Sequence, residues 1–196
     1  MARKLLLSVT IVAVVGALCG FGTYSAFSST TTSGTNSMQA GTVSITDDHT
    51  VSTMLALSNA KPGDRTTGCV KVTYTGTLPA TVRMYATPSG GLAQYLKVTI
   101  TRGSGGSYPS CTGFTTTGEG TYVNATPGVT FAGTLSALPA TWATAGDDPA
   151  GGATPEQWTQ NESHAYQVDV QLDPSAPAAA QGLTAGVSFT WEARNQ

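Results

Sequence analysis

The sequence predicts an all-β fold: an antiparallel two-sheet sandwich, jelly-roll-like, preceded by an N-terminal signal helix and a flexible arm. Three observations lead there. The 196 residues include 33 Thr and 23 Gly, but only 9 Lys plus Arg. Thr, Val and aromatic residues favour strands, while Gly and Pro punctuate turns. Apolar residues recur with period two in one run after another, with no long helical period and no internal repeat. Charged residues make up 10% and the net charge is −2. So few bases exclude the clustered basic face that a nucleic-acid partner requires, and the sparse charge excludes a charge-rich coiled coil.

The first element is an address. Arg3 and Lys4 precede an uncharged run from Leu5 to Cys19, and small residues follow up to Ala26. Basic, apolar, small is the order of a signal peptide. As a helix the apolar run would span about 23 Å, short of the roughly 30 Å hydrocarbon core of a bilayer. An uncleaved membrane anchor is the alternative. Thr23 and Ser25 supply the small positions before a cleavage site, placing the cut between Ser25 and Ala26. Residues 26–37 then read as an N-terminal arm. It is rich in Ser and Thr, with Phe27 its single large apolar side chain. An arm of that composition has little to bury in its own domain, so Ala26, Phe27 and Ser28 head a candidate donor strand. Residues 38–196 form the sandwich, long enough for one domain with a substantial core.

Within the sandwich the alternation defines about eight strands. Val43 and Ile45 alternate with Thr42, Ser44 and Thr46, and a less regular run covers Val51 to Leu57. Val70, Val72 and Tyr74 share a parity, as do Val82, Met84 and Ala86, and then Leu96, Val98 and Ile100. Val129, Phe131 and Leu135 mark the next run. Tyr166, Val168, Val170 and Leu172 follow, and Leu183 to Trp191 closes the series. One-sided strands pair antiparallel across a shared core. Lys61-Pro62-Gly63-Asp64 predicts a type II turn, Gly103 to Gly106 a break, residues 146–155 a long loop, and Ser175 to Gln181 one helical turn. With Cys19 in the leader, Cys69 and Cys111 remain. An even pair in an exported protein predicts one disulfide, and a redox role is disfavoured because no Cys-x-x-Cys is present.

No motif predicts catalysis. His49 and His164 lie outside any His-Glu-x-x-His, so no zinc site is expected, and both read as exposed residues. Asp47-Asp48-His49 and Gly146-Asp147-Asp148 lack a complete calcium-ligand spacing and read as solvated loop tips. There is no Gly-x-Ser-x-Gly elbow and no phosphate-cradling loop. The expectation is therefore no enzyme, no cofactor and no metal. Trp142 and Trp158 flank the long loop and are candidates for a ligand groove, while Trp191 falls on the buried parity.

Gly22-Thr23-Tyr24-Ser25-Ala26-Phe27-Ser28, followed by Ala40-Gly41-Thr42-Val43, resembles the N-terminal region of the TasA/camelysin family. Asn59-Ala60-Lys61-Pro62-Gly63-Asp64 resembles that family's Pro-Gly-Asp turn. The closing pattern from Leu172 to Ala193 is similar to one branch of it. The resemblance implies a jelly roll, cleavage before Ala-Phe by a SipW-type signal peptidase, and a subunit of extracellular biofilm fibres. In such fibres the N-terminal segment of each subunit completes the sheet of its neighbour. The partner is then a second copy, head to tail, with no nucleic acid and no membrane after cleavage. The expected location is the extracellular matrix or cell surface. A monomeric surface-binding module and a camelysin-like secreted metallopeptidase are the competing readings.

Overall fold

Each β-branched or aromatic run turns one face inward, and the inward faces meet in one core. The computed structural model describes residues 41–48, 54–116, 126–145 and 156–195. The proposed leader and arm, His49, and Asp147 and Asp148 lie outside the described residues. Strands β1 (Ile45–Asp47), β2 (Arg65–Tyr74), β4 (Leu96–Ser104), β5 (Thr115–Thr116), β6 (Val129–Thr134) and β7 (Ser163–Leu172) form one sheet. Strands β3 (Thr81–Ser89) and β8 (Gly186–Arg194) form a second. The larger sheet runs β1-β2-β7-β4, and β5 and β6 share the far edge of β4. All ladders are antiparallel. Pairing of β2 with β7 and of β3 with β8 joins segments distant in sequence, the crossed pairing of a jelly roll.

The core follows from the registers. Val70 and Val72 of β2, Leu96, Val98 and Ile100 of β4, and Tyr166, Val168, Val170 and Leu172 of β7 are all buried. Val82 and Ala86 of β3 meet them from the other sheet. Tyr166 reaches across to Trp191 of β8, ring centroids 5.3 Å apart. The expected period-two parity holds in each of these strands.

Turn chemistry places the strands. Gly63 sits at φ 95°, Asp64 N–H donates to Lys61 O, and Lys61 N–H donates back to the Asp64 carboxylate at 2.9 Å. This is the Pro-Gly turn expected at that position. The Lys61 backbone and ammonium groups beside Asp64 hold its carboxyl below the usual carboxylate range. A short 3-10 turn at Ala178–Ala180 meets the expectation of one helical turn.

Three expectations are corrected. Residues 54–57 form no strand; residues 51–53 of that run lie outside the described part. Met54 and Leu55 instead lie flat over β2 at Gly68, where an added Cβ would fall 2.6 Å from Met54 Cγ. The segment packs by side chain rather than by ladder, which suits its irregular pattern. Strand β4 continues through Gly103 and Ser104, and the chain breaks only at Gly105, at φ 72°. Strand β8 begins at Gly186 rather than Leu183, which is exposed.

Candidate functional site

Strand β8 pairs with β3 along one edge, from Gly186 opposite Ser89 to Arg194 opposite Thr81. No described strand pairs with its other edge. Its core-facing residues Val187, Phe189, Trp191 and Ala193 pack on the core but stay half-buried. The equivalent face of β7 is sealed, with Val168 fully buried. The difference is positional: β7 has a strand on each side, and β8 has one. The far edge of β3 is covered. Ala86 N–H donates to Pro139 O at 2.8 Å, and Ala80 and Trp158 exchange backbone hydrogen bonds. Strands β1, β5 and β6 also end their sheet, but β8 is the long one, nine residues with four apolar side chains half-buried behind an unpaired edge.

A second feature lies inside. Arg102 of β4 is completely buried. Its guanidinium grips both carboxylate oxygens of Glu156, with Nη2 3.1 Å from Oε1 and Nη1 against Oε2. The same Nη2 lies 3.0 Å from Nδ1 and 2.9 Å from Nε2 of His164. His164 Nε2 is 2.9 Å from Glu162 Oε1, and Glu162 Oε2 accepts the Thr159 N–H at 2.8 Å. Trp158, also fully buried, meets the His164 ring edge-on at 4.5 Å. Burial pushes the Glu162 carboxyl up, but the hydrogen bonds from His164 and Thr159 outweigh it. Its pKa therefore sits below the ordinary glutamate value.

Of the residues marked in the sequence, Cys69 and Cys111 are bridged, Cα atoms 5.1 Å apart. The bond ties β2 to the loop after β4. Ser25, Ala26, Phe27 and Ser28 lie outside the described residues. The exposed reading of His164 is overturned: its side chain is 14% exposed and belongs to the Arg102 cluster. Asp48 is no free loop tip, since it accepts the backbone N–H groups of Lys71 and Tyr108. Trp158 lines no groove, being in the core. Trp142 borders an open groove of about 490 Å³ with Tyr85, Glu192 and Arg194. Its ring is already engaged by the guanidinium groups of Arg83 and Arg194, at 4.9 and 4.5 Å.

The sequence reading missed Arg102, although a signal was present. The parity of Leu96, Val98 and Ile100 extends to Arg102, and that of Tyr166 to Leu172 extends back to His164 and Glu162. Charged residues on a core-facing parity must find partners. The register sets Arg102 opposite Tyr166, one diagonal step from His164.

Residues 1–87 match the family described as camelysin metallo-endopeptidase, which supports the TasA/camelysin resemblance. No curated protein matches the chain. The family's description implies a metal. Among the described residues, the His, Cys, Asp and Glu side chains close enough to share an ion are Glu156, Glu162 and His164. The guanidinium of Arg102 is hydrogen-bonded to two of these three. As they stand they do not fit a bound cation, because Arg102 already fills the space and supplies the positive charge.

Proposed function

We propose, from the TasA/camelysin support over residues 1–87, that this protein is a secreted structural subunit of an extracellular fibre or biofilm matrix. A signal peptidase of SipW type cuts between Ser25 and Ala26, and the freed arm adds as a strand to a second copy. The observation that carries this reading is the unpaired edge of β8, with Val187, Phe189 and Trp191 half-buried behind it. An added strand gains main-chain hydrogen bonds at such an edge and covers the apolar face beneath. The arm suits it in length. Residues 26–37 reach about 40 Å when extended, against about 30 Å for the nine residues of β8. Phe27 gives the arm one apolar anchor, and its Ser and Thr tolerate extended backbone. The contact is head-to-tail and does not close on itself, so it propagates as a filament.

On this reading the protein is no enzyme and needs no cofactor. The peptidase alternative is favoured by the family's description. It requires chelator-sensitive hydrolysis of casein that disappears in His49→Ala or His164→Ala.

The test is electron microscopy of matured protein whose N-terminus mass spectrometry has assigned to Ala26. Filaments are expected. Deleting residues 26–37 should abolish them and leave a folded monomer with an unchanged circular dichroism spectrum. Filaments that survive the deletion, or an arm that pairs with β8 of its own subunit, would defeat the proposal.

A further inference from the structure

The described domain gathers a zinc-type ligand set and then closes it with an arginine. We propose that Glu156, Glu162 and His164 form a latent transition-metal site that Arg102 keeps shut. The guanidinium stands in for a divalent cation, and a Zn²⁺-class metal enters once that guanidinium is removed.

The donor set is one imidazole nitrogen and two carboxylates, a combination that zinc accepts. One ligand atom from each of the three residues lies within 4.8 Å of the others. Donors around a tetrahedral zinc lie about 3.3 Å apart, given bonds of about 2.0 Å. The approach needed is therefore at most about 1.5 Å. Two of the three positions are also prearranged. His164 sits on β7, opposite Val72 of β2 in the ladder, with Trp158 against its ring. The Thr159 N–H and hydroxyl both hold Glu162 through Oε2. A ligand fixed on a strand and one held by supporting hydrogen bonds are part of what a metal site requires.

Arg102 decides what occupies the space. It is bidentate on Glu156, within hydrogen-bond distance of both ring nitrogens of His164, and fully buried. A divalent cation beside it would set three positive charges against two carboxylates in a low-dielectric pocket. The fixed guanidinium makes most of the same contacts without that repulsion. Its geometry matches: a planar fork satisfies one carboxylate with two parallel bonds, which a lysine could not do. The inference is independent of fibre assembly, since the cluster lies within one subunit and uses no residue of β8.

Matured wild-type protein is titrated with Co²⁺, read by its visible absorption, and with Zn²⁺ by calorimetry. Arg102→Gln and Arg102→Met are titrated alongside, their folding checked by circular dichroism. The wild type should give no Co²⁺ spectrum. The Arg102 variants should gain one, with affinity about tenfold or more above wild type. The double variant Arg102→Gln/His164→Ala should lose it again. A wild type that binds Co²⁺ through His164 overturns the closed state. A folded Arg102→Gln that gains nothing overturns the latent site. Failure of both single variants to fold also counts against it, because a pocket that collapses without Arg102 is not preformed.

Discussion

Glu162 occupies the last turn before β7 and works through both of its oxygens. One accepts the Thr159 N–H and hydroxyl, and the other lies against His164. Burial alone would raise its pKa, and these hydrogen bonds reverse that, leaving it lowered. A carboxylate with a depressed folded-state pKa contributes stability that is fully present above the unfolded glutamate value. That contribution is lost as pH falls through the folded value. Glu162→Gln should therefore cost about 1–3 kcal/mol at neutral pH. The gap to wild type should shrink as pH falls below the ordinary glutamate range. Urea midpoints of both proteins across the acid range check this, and a gap independent of pH would refute it. At this scale the sequence was legible in part. Arg102 and His164 stand on the inward parity of their strands, so their burial could have been read by extending each run. Their meeting could not, because it depends on the β4–β7 register, and Glu156 joins from outside any strand. Trp158 shows the same limit: nothing local separates a core tryptophan from one in a groove, and a backbone bridge to Ala80 decides the matter.

Among the elements, the strands differ in how completely neighbours cover them. Alternation is a local property, and so β2, β3, β4, β7 and most of β8 were readable from the chain. The irregular run ending at Leu57 was not, because its apolar residues serve side-chain packing over Gly68 rather than a ladder. Which strand ends a sheet is invisible to periodicity. Strand β8 alternates like a strand covered on both flanks, yet its inward residues stay half-buried. Of its outward residues, Glu192 and Arg194 pair with each other, while Ser188 and Thr190 are exposed and uncharged, so this stretch of the edge lacks the lysines that usually discourage strand addition. Ser188→Lys/Thr190→Lys should prevent filament growth while shifting the melting temperature little, since both side chains already face water. Sedimentation of matured protein, together with a thermal melt, tests this. Filaments forming at the wild-type rate would show that the added strand docks elsewhere.

At the scale of the molecule, the described sandwich is lopsided, with six strands in one sheet and two in the other. Sequence spacing anticipated seven of the eight described strands and one cystine, but neither β5 nor this division. It arises because β1 pairs with β2 rather than with β8, and because the segment around Pro139 covers the outer edge of β3. The Cys69–Cys111 bond crosses from β2 to the loop beyond β4, so the chain between the two cysteines contains all of β3 and β4. In the chain-entropy picture, a loop of that length stabilises the fold by about 4 kcal/mol. Cys69→Ala/Cys111→Ala should lower the unfolding free energy by about that much, read from urea denaturation. The bond has a mechanical meaning as well. In the proposed filament a subunit would be pulled from its two ends, and a covalent loop would shield everything between its anchors from that pull. Roughly 150 Å of contour is withheld when 42 residues stay closed. Under tension, an oxidised subunit would give way by a shorter step than a reduced one, and β3 and β4, one from each sheet, would not be drawn out. A matrix woven from such units would be stiff while oxidised and extensible once its cystines are reduced.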